Sequence, residues 1–128
     1  MAGLGDAWSA RALASLRIVT ALLFLQHGLN KFFDFPQTAG HHVPAMFTLV
    51  WFAGVIEIVG SVLVALGVFS RLAALVMSGE MAVAYFRVAA PHSFFPLINR
   101  GEELILFSFI FLLVAVAGPG AWAVDSRR

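Results

Sequence analysis

The sequence predicts an all-α transmembrane four-helix bundle, and three observations carry that prediction. Of its 128 residues, 61% are hydrophobic and only 12% charged, too little polar surface to cover a water-exposed exterior. The mean hydropathy is +0.93, in the range of chains that dissolve in lipid. The apolar residues gather into four runs near the roughly 20 residues that a helix needs to cross a bilayer, the last of them only with its flanking turns, and prolines and glycines stand between them.

The runs cover about 12–33, 47–69, 72–90 and 104–117. The first has a thin basic flank and no small-residue cleavage site, so it reads as a retained helix and not as a signal peptide. Pro36, Gly40 and Pro44 make a loop after it. Ser70 and Arg71 leave room only for a tight hairpin between the second and third runs, and Pro91 and Pro96 mark a second loop. Gly118-Pro119-Gly120 ends the fourth helix, since proline cannot continue it and glycine accepts the terminating conformation. The whole chain, 1–128, is expected to form one transmembrane domain.

Four spans put both termini on the side of the Arg71 hairpin. Arg11, Arg71, Arg127 and Arg128 lie there with Arg17 close by, against Lys31 and Arg100 with Arg87 close by on the other side. The positive-inside rule then predicts a multi-pass cell-membrane protein with cytoplasmic termini. Trp51, Trp122 and the many phenylalanines read as packing groups or interface anchors.

Composition also removes whole classes of chemistry. With no cysteine, the chain has no disulfide, no thiolate nucleophile and no iron–sulfur ligand of its own, so any electrons must come from a partner. A net charge of +1 without a basic run argues against nucleic acid. His41, His42 and His92 fall in loops without ligand spacing, so no metal site is predicted, and His27 alone within a helix gives no pair for haem.

Against this background His27, Glu57, Glu80 and Arg87 stand out, because they lie inside the apolar runs. A charge at that depth costs about 2.5–3.5 kcal/mol unless it meets a partner, water or a ligand. Lys31 is expected near the outer surface, with His27 one turn deeper on the same face and Asn30 beside them. Glu57 falls close to the midplane, on a helix whose Gly54, Gly60 and Gly67 permit close packing. Glu80 and Arg87 share a face about 10 Å apart along the axis, too far for a direct pair. Glu102 and Glu103 open the fourth helix, where capping explains one of them and leaves the other to face the mouth of the bundle. The candidate ligand-binding or proton-exchange residues are therefore His27, Lys31, Glu57, Arg87 and Glu102. Glu80, His92 and Asn99 are secondary, Glu80 because its depth reads as nearer the cytoplasmic side. A purely structural charge network accounts for the same residues.

Taken in order, these residues resemble the DoxX family of small four-helix membrane proteins. The first helix carries Arg17, Phe24 and Gln26-His27-Gly28-Leu29-Asn30-Lys31, similar to the family's arginine followed by an H-G-x-x-K element. Glu57, Gly60, Leu63 and Leu66-Gly67, then Ser70-Arg71-Leu72-Ala73-Ala74, resemble its E-x-x-G, L-x-x-G and [ST]-R-x-A-A run. Met81, Ala84-Tyr85, His92, Phe95-Pro96, Asn99-Arg100-Gly101-Glu102, Gly118-Pro119-Gly120, Trp122 and Asp125 extend the likeness over nearly the whole chain.

That resemblance implies a link to membrane redox chemistry, because the family includes the small membrane subunit of an archaeal thiosulfate:quinone oxidoreductase. The first expectation is a subunit or accessory of a redox complex that holds a quinone-like carrier between its helices, with a flavin- or metal-bearing enzyme as partner. The second is a non-catalytic scaffold for a redox or stress-response enzyme, and the third a small transporter. The candidate partners are the lipid bilayer, a lipophilic small molecule, a redox enzyme and further copies of the chain.

Overall fold

The computed structural model describes residues 4–125, and these are helical, with no strand among them. Arg127 and Arg128, counted above in the charge bias, lie outside the described residues. Helix α1 is Leu4–Phe33. It begins some eight residues before the apolar run because nothing between Gly5 and Ala12 breaks a helix, and Asp6 in the first turn suits its N-terminus. Arg11 lies 5.0 Å from the centroid of the Trp8 ring on this added length.

Helix α2, Leu49–Leu66, starts where the Thr48 hydroxyl accepts the Trp51 N–H at 3.3 Å. It stops at Gly67, whose φ of 74° takes the left-handed region, while Val68 N–H returns to Leu63 O at 2.9 Å. The hairpin is thus Gly67–Phe69, not the expected Ser70–Arg71. Ser70 instead opens helix α3, Ser70–Ala84, because the Asp125 carboxylate accepts both the Ser70 N–H, at 2.9 Å, and its hydroxyl, at 2.5 Å. Asp125 supplies from the far end of the chain the acceptor that a local side-chain cap usually supplies.

Beyond Ala84 the helix widens into a π turn, Tyr85–Ala89, and tightens into a 3-10 turn, Ala90–His92. A short helix α4, Pro96–Asn99, occupies what was expected to be plain loop, and α5 is Glu102–Ala117. Gly118 ends α5 as expected, donating its N–H to Val114 O at 2.9 Å.

Three helical stretches are long and apolar enough to cross a membrane: Gly5–Phe33, Leu49–Leu66 and Ser70–His92. The fourth long helix, α5, has 16 residues, about 24 Å of rise. Two close pairs, α1 with α2 and α3 with α5, are joined through the α2–α3 contact. Phe24, Phe107, Phe111, Met77 and Val64 fill the centre, with the Phe24 and Phe111 rings edge to face at 5.2 Å. Within α3 and α5, Ser78 and Ser108 each donate a hydroxyl to the other's carbonyl, at 2.7 and 3.0 Å, which ties the two helices together.

Helices α1 and α2 approach closely at Gly28. A Cβ there would sit 2.7 Å from Ile58 Cγ1 and 3.1 Å from Glu57 Cβ, so only glycine lets the two backbones meet. This contact sets the level at which a side chain of α1 reaches Glu57.

Candidate functional site

Glu57 is buried in the middle of α2, with its side chain 3% exposed, and Lys31 of α1 answers it. Three residues past Gly28, the lysine turns back along the helix contact and donates from Nζ to Glu57 Oε1 at 2.7 Å. The lysine thus carries its charge into the bundle instead of keeping it at the surface, which offsets much of the cost of the carboxylate.

Glu80 meets the same pair from α3. It stands ten residues after Ser70, and Glu57 ten residues before Gly67, so the hairpin brings both to one level, about 15 Å above the turn. The Glu80 carboxyl faces that of Glu57 with Lys31 nearby, and its Oε2 is buried without a hydrogen-bond partner among the described residues. Its depth was therefore misread as nearer the cytoplasmic side. Measured from the hairpin, Glu80 is as deep as Glu57.

These groups form the floor of a cavity of about 590 Å³ between α1, α2, α3 and α5. Its wall is apolar, built largely from Phe24, Ala53, Met81, Leu104 and Phe107. Leu49, Val50, Val83, Arg87 and Val88 line it and are exposed, so the cavity opens between the ends of α2 and α3 that are remote from the hairpin. His27 faces in from α1. A carbonyl can only accept, so the 3.1 Å contact of Nδ1 with Leu23 O puts the ring proton on Nδ1 and makes Nε2 the acceptor nitrogen. Phe107 stands edge-on to the imidazole, with centroids 6.0 Å apart.

The structure brings His27, Lys31, Glu57, Glu80 and Arg87 to one cavity. Arg87 belongs to its rim: it is exposed within the π turn and makes no ion pair with another described residue. Glu102 and Glu103 are both exposed, and of the two only Glu103 lines the cavity. The two carboxylates are about 100° apart around the helix, so one residue of register decides which faces inward. His92 is exposed and away from the cavity. Asn99 is buried but structural: its amide donates to Ser93 O at 2.9 Å and Tyr85 Oη at 3.1 Å, and its Oδ1 accepts the Gly101 N–H at 2.7 Å. Those bonds hold the start of α5 against the π turn.

Arg17 has a larger part than its sequence position suggested. It is fully buried, and its guanidinium donates to Pro119 O, to Ala121 O at 3.0 Å, to Trp122 O at 3.1 Å and to Ala65 O at 3.5 Å. It thereby fixes the segment after α5 beneath the bundle, where Asp125 caps α3. The signal for this was Gly118-Pro119-Gly120, a run without regular structure whose carbonyls must find donors elsewhere.

The sequence pattern of the DoxX family matches residues 12–90, which contain His27, Lys31, Glu57, Glu80 and Arg87. This chain belongs to the DoxX family. The match is to most of α1 and to α2 and α3, so Glu103 on α5 lies outside it. A Haemophilus influenzae relative, named only as an uncharacterised protein, is 46% identical over 119 residues, covering 90% of this chain and 89% of its own. An uncharacterised membrane protein of Mycobacterium tuberculosis is 31% identical over 130 residues, covering 88% of this chain and 78% of its own. No solved structure matches the chain.

Proposed function

We propose that this DoxX-family membrane protein binds a lipophilic molecule with a hydrogen-bonding headgroup, of the quinone type, and serves as the membrane part of a redox assembly. The observation that carries the reading is the cavity itself: about 590 Å³ of mostly apolar space with a few convergent polar groups, open sideways between α2 and α3. A flat ring with two carbonyls suits that lining. Lys31 and Arg87 are donors for carbonyl oxygens, His27 Nε2 exchanges a proton, and the apolar rim leaves a path for a tail into lipid. The cysteine-free chain fits a division of labour in which a flavin- or metal-bearing partner enzyme delivers the electrons.

Mass spectrometry of protein taken gently from its native membrane tests this. The reading expects a lipophilic carrier retained in near-equal ratio to the protein and lost from the Glu57→Gln variant. Wild-type protein that carries only bulk membrane lipid contradicts it.

A second reading, a non-catalytic scaffold, draws on the Lys31–Glu57 bond, which neutralises the buried carboxylate without any ligand. Under that reading Glu57→Gln lowers assembly and stability and leaves the small-molecule content of the preparation unchanged.

A further inference from the structure

A second cavity, of about 300 Å³, adjoins the first at the end remote from the hairpin. Gln26, Asn30 and Thr38 place polar side chains on its wall beside Pro36, so it offers room and hydrogen-bond partners for water. His27 and Lys31 line both cavities, and no other residue does. They are the partition between this vestibule, bounded by Pro36 and Thr38, and the carboxyl pair on the floor of the first cavity.

The floor has one more acid than its bases neutralise. Lys31 is bonded to Glu57, and Glu80 faces the same carboxyl with one oxygen buried and unpartnered. The charged and titratable groups that line the same cavity from the packed helices are His27 and Lys31 on α1, Glu57 on α2, and Glu103, exposed at the start of α5. On α3 itself, Arg87 is seven residues on, about 10 Å along the axis and at the rim. Two carboxyls beside one ammonium are balanced by one proton held between them.

We infer that Glu80 is the proton-exchanging group of the cavity and that it exchanges with the vestibule past His27. The transfer is of a proton alone. It leaves the Glu80 carboxyl for a basic atom in the cavity, and the resulting carboxylate takes a proton that hydronium in the vestibule first places on the His27 Nε2 lone pair, the imidazolium so formed returning to the neutral Nδ1–H form bonded to Leu23 O. The inference deepens the ligand reading, on which only the proton's destination rests.

Infrared spectroscopy of the full chain in lipid vesicles tests it. Wild-type protein is expected to show the C=O stretch of a buried protonated carboxyl, shifting on transfer to D₂O, and Glu80→Gln to lose that band. His27→Phe, which keeps a ring between Phe24 and Phe107, is expected to retain the band and slow its D₂O shift by about tenfold or more. Dicyclohexylcarbodiimide, a lipophilic reagent that adds to protonated carboxyls, gives a readout without any variant and is expected to mark the Glu80 peptide of wild-type protein. A band that survives Glu80→Gln, a wild-type exchange rate in folded His27→Phe, or reagent on Glu57 and not Glu80 overturns the inference. Absence of a retained carrier with the band and label intact overturns only the ligand reading.

Discussion

Lys31 of α1 and Glu57 of α2 are joined at 2.7 Å, three residues from the point where Gly28 lets their helices touch. The pair depends on a backbone contact as much as on charge. Its carboxylate is nearly inaccessible, whereas the lysine side chain is 26% exposed on the cavity side, where a ligand headgroup can share it.

Removing the lysine leaves the acid buried and alone. Lys31→Met is expected to cost about 3 kcal/mol, near the lower end for broken buried pairs because the lysine is partly exposed. The double variant Lys31→Met/Glu57→Met is expected to recover much of that loss. Thermal unfolding in one detergent measures both, and equal losses in the single and double variants would contradict a coupled pair.

Gly28→Val tests the helix contact. The added side chain must displace Ile58 and push α1 from α2, at a cost of about 1–3 kcal/mol, and lengthen the path from Lys31 to Glu57. Thermal unfolding together with hydrogen exchange at the amides around Ile58 reports on the helix contact; a wild-type melting point and exchange pattern would show that the site tolerates bulk.

Glu103 and Glu102 separate the cavity from the outer surface by one residue. Glu103→Gln is expected to weaken retention of a bound carrier several-fold, while Glu102→Gln, exposed outside it, changes stability by no more than about 0.5 kcal/mol and leaves retention alone. Carrier content by mass spectrometry ranks the two, and the reverse ranking would place the inward face of α5 elsewhere.

Arg17→Met deprives four carbonyls of their donor. Since charge-assisted bonds contribute about 1.5–3 kcal/mol each when lost, the variant is expected to loosen 118–125 and to expose the α3 N-terminus that Asp125 caps. Hydrogen exchange is expected to rise in Phe69, Ser70 and the terminal segment before it rises in α2; uniform exchange along the chain would refute a local staple.

The helices themselves were legible in the sequence because apolar run length and proline position act locally. Their ends were less so: Asp125, from the other end of the chain, moved the hairpin to Gly67–Phe69 by capping Ser70. Depth was misjudged for Glu80 because it was counted from an expected span boundary, although equal distances from the hairpin relate it directly to Glu57. The inward face of α5 was not legible at all, since that helix is apolar around nearly its whole circumference and gives no stripe to orient Glu102 against Glu103. Arg17 depended on a fold-back of the terminal segment: Gly118-Pro119-Gly120 signals carbonyls in need of donors, but not that Arg17 of α1 supplies them.

The central claim is that the cavity above Lys31, Glu57 and Glu80 holds a quinone-like headgroup. The most direct measurement is a thermal unfolding titration of purified wild-type protein with a short-tailed quinone. The expected result is a melting temperature that rises with the logarithm of free quinone above Kd, with about 2.7 kcal/mol of stabilisation at a hundredfold excess over Kd, and a flat response in Lys31→Met/Glu57→Met. A flat response in the wild type, or an equal rise in that variant, would contradict it.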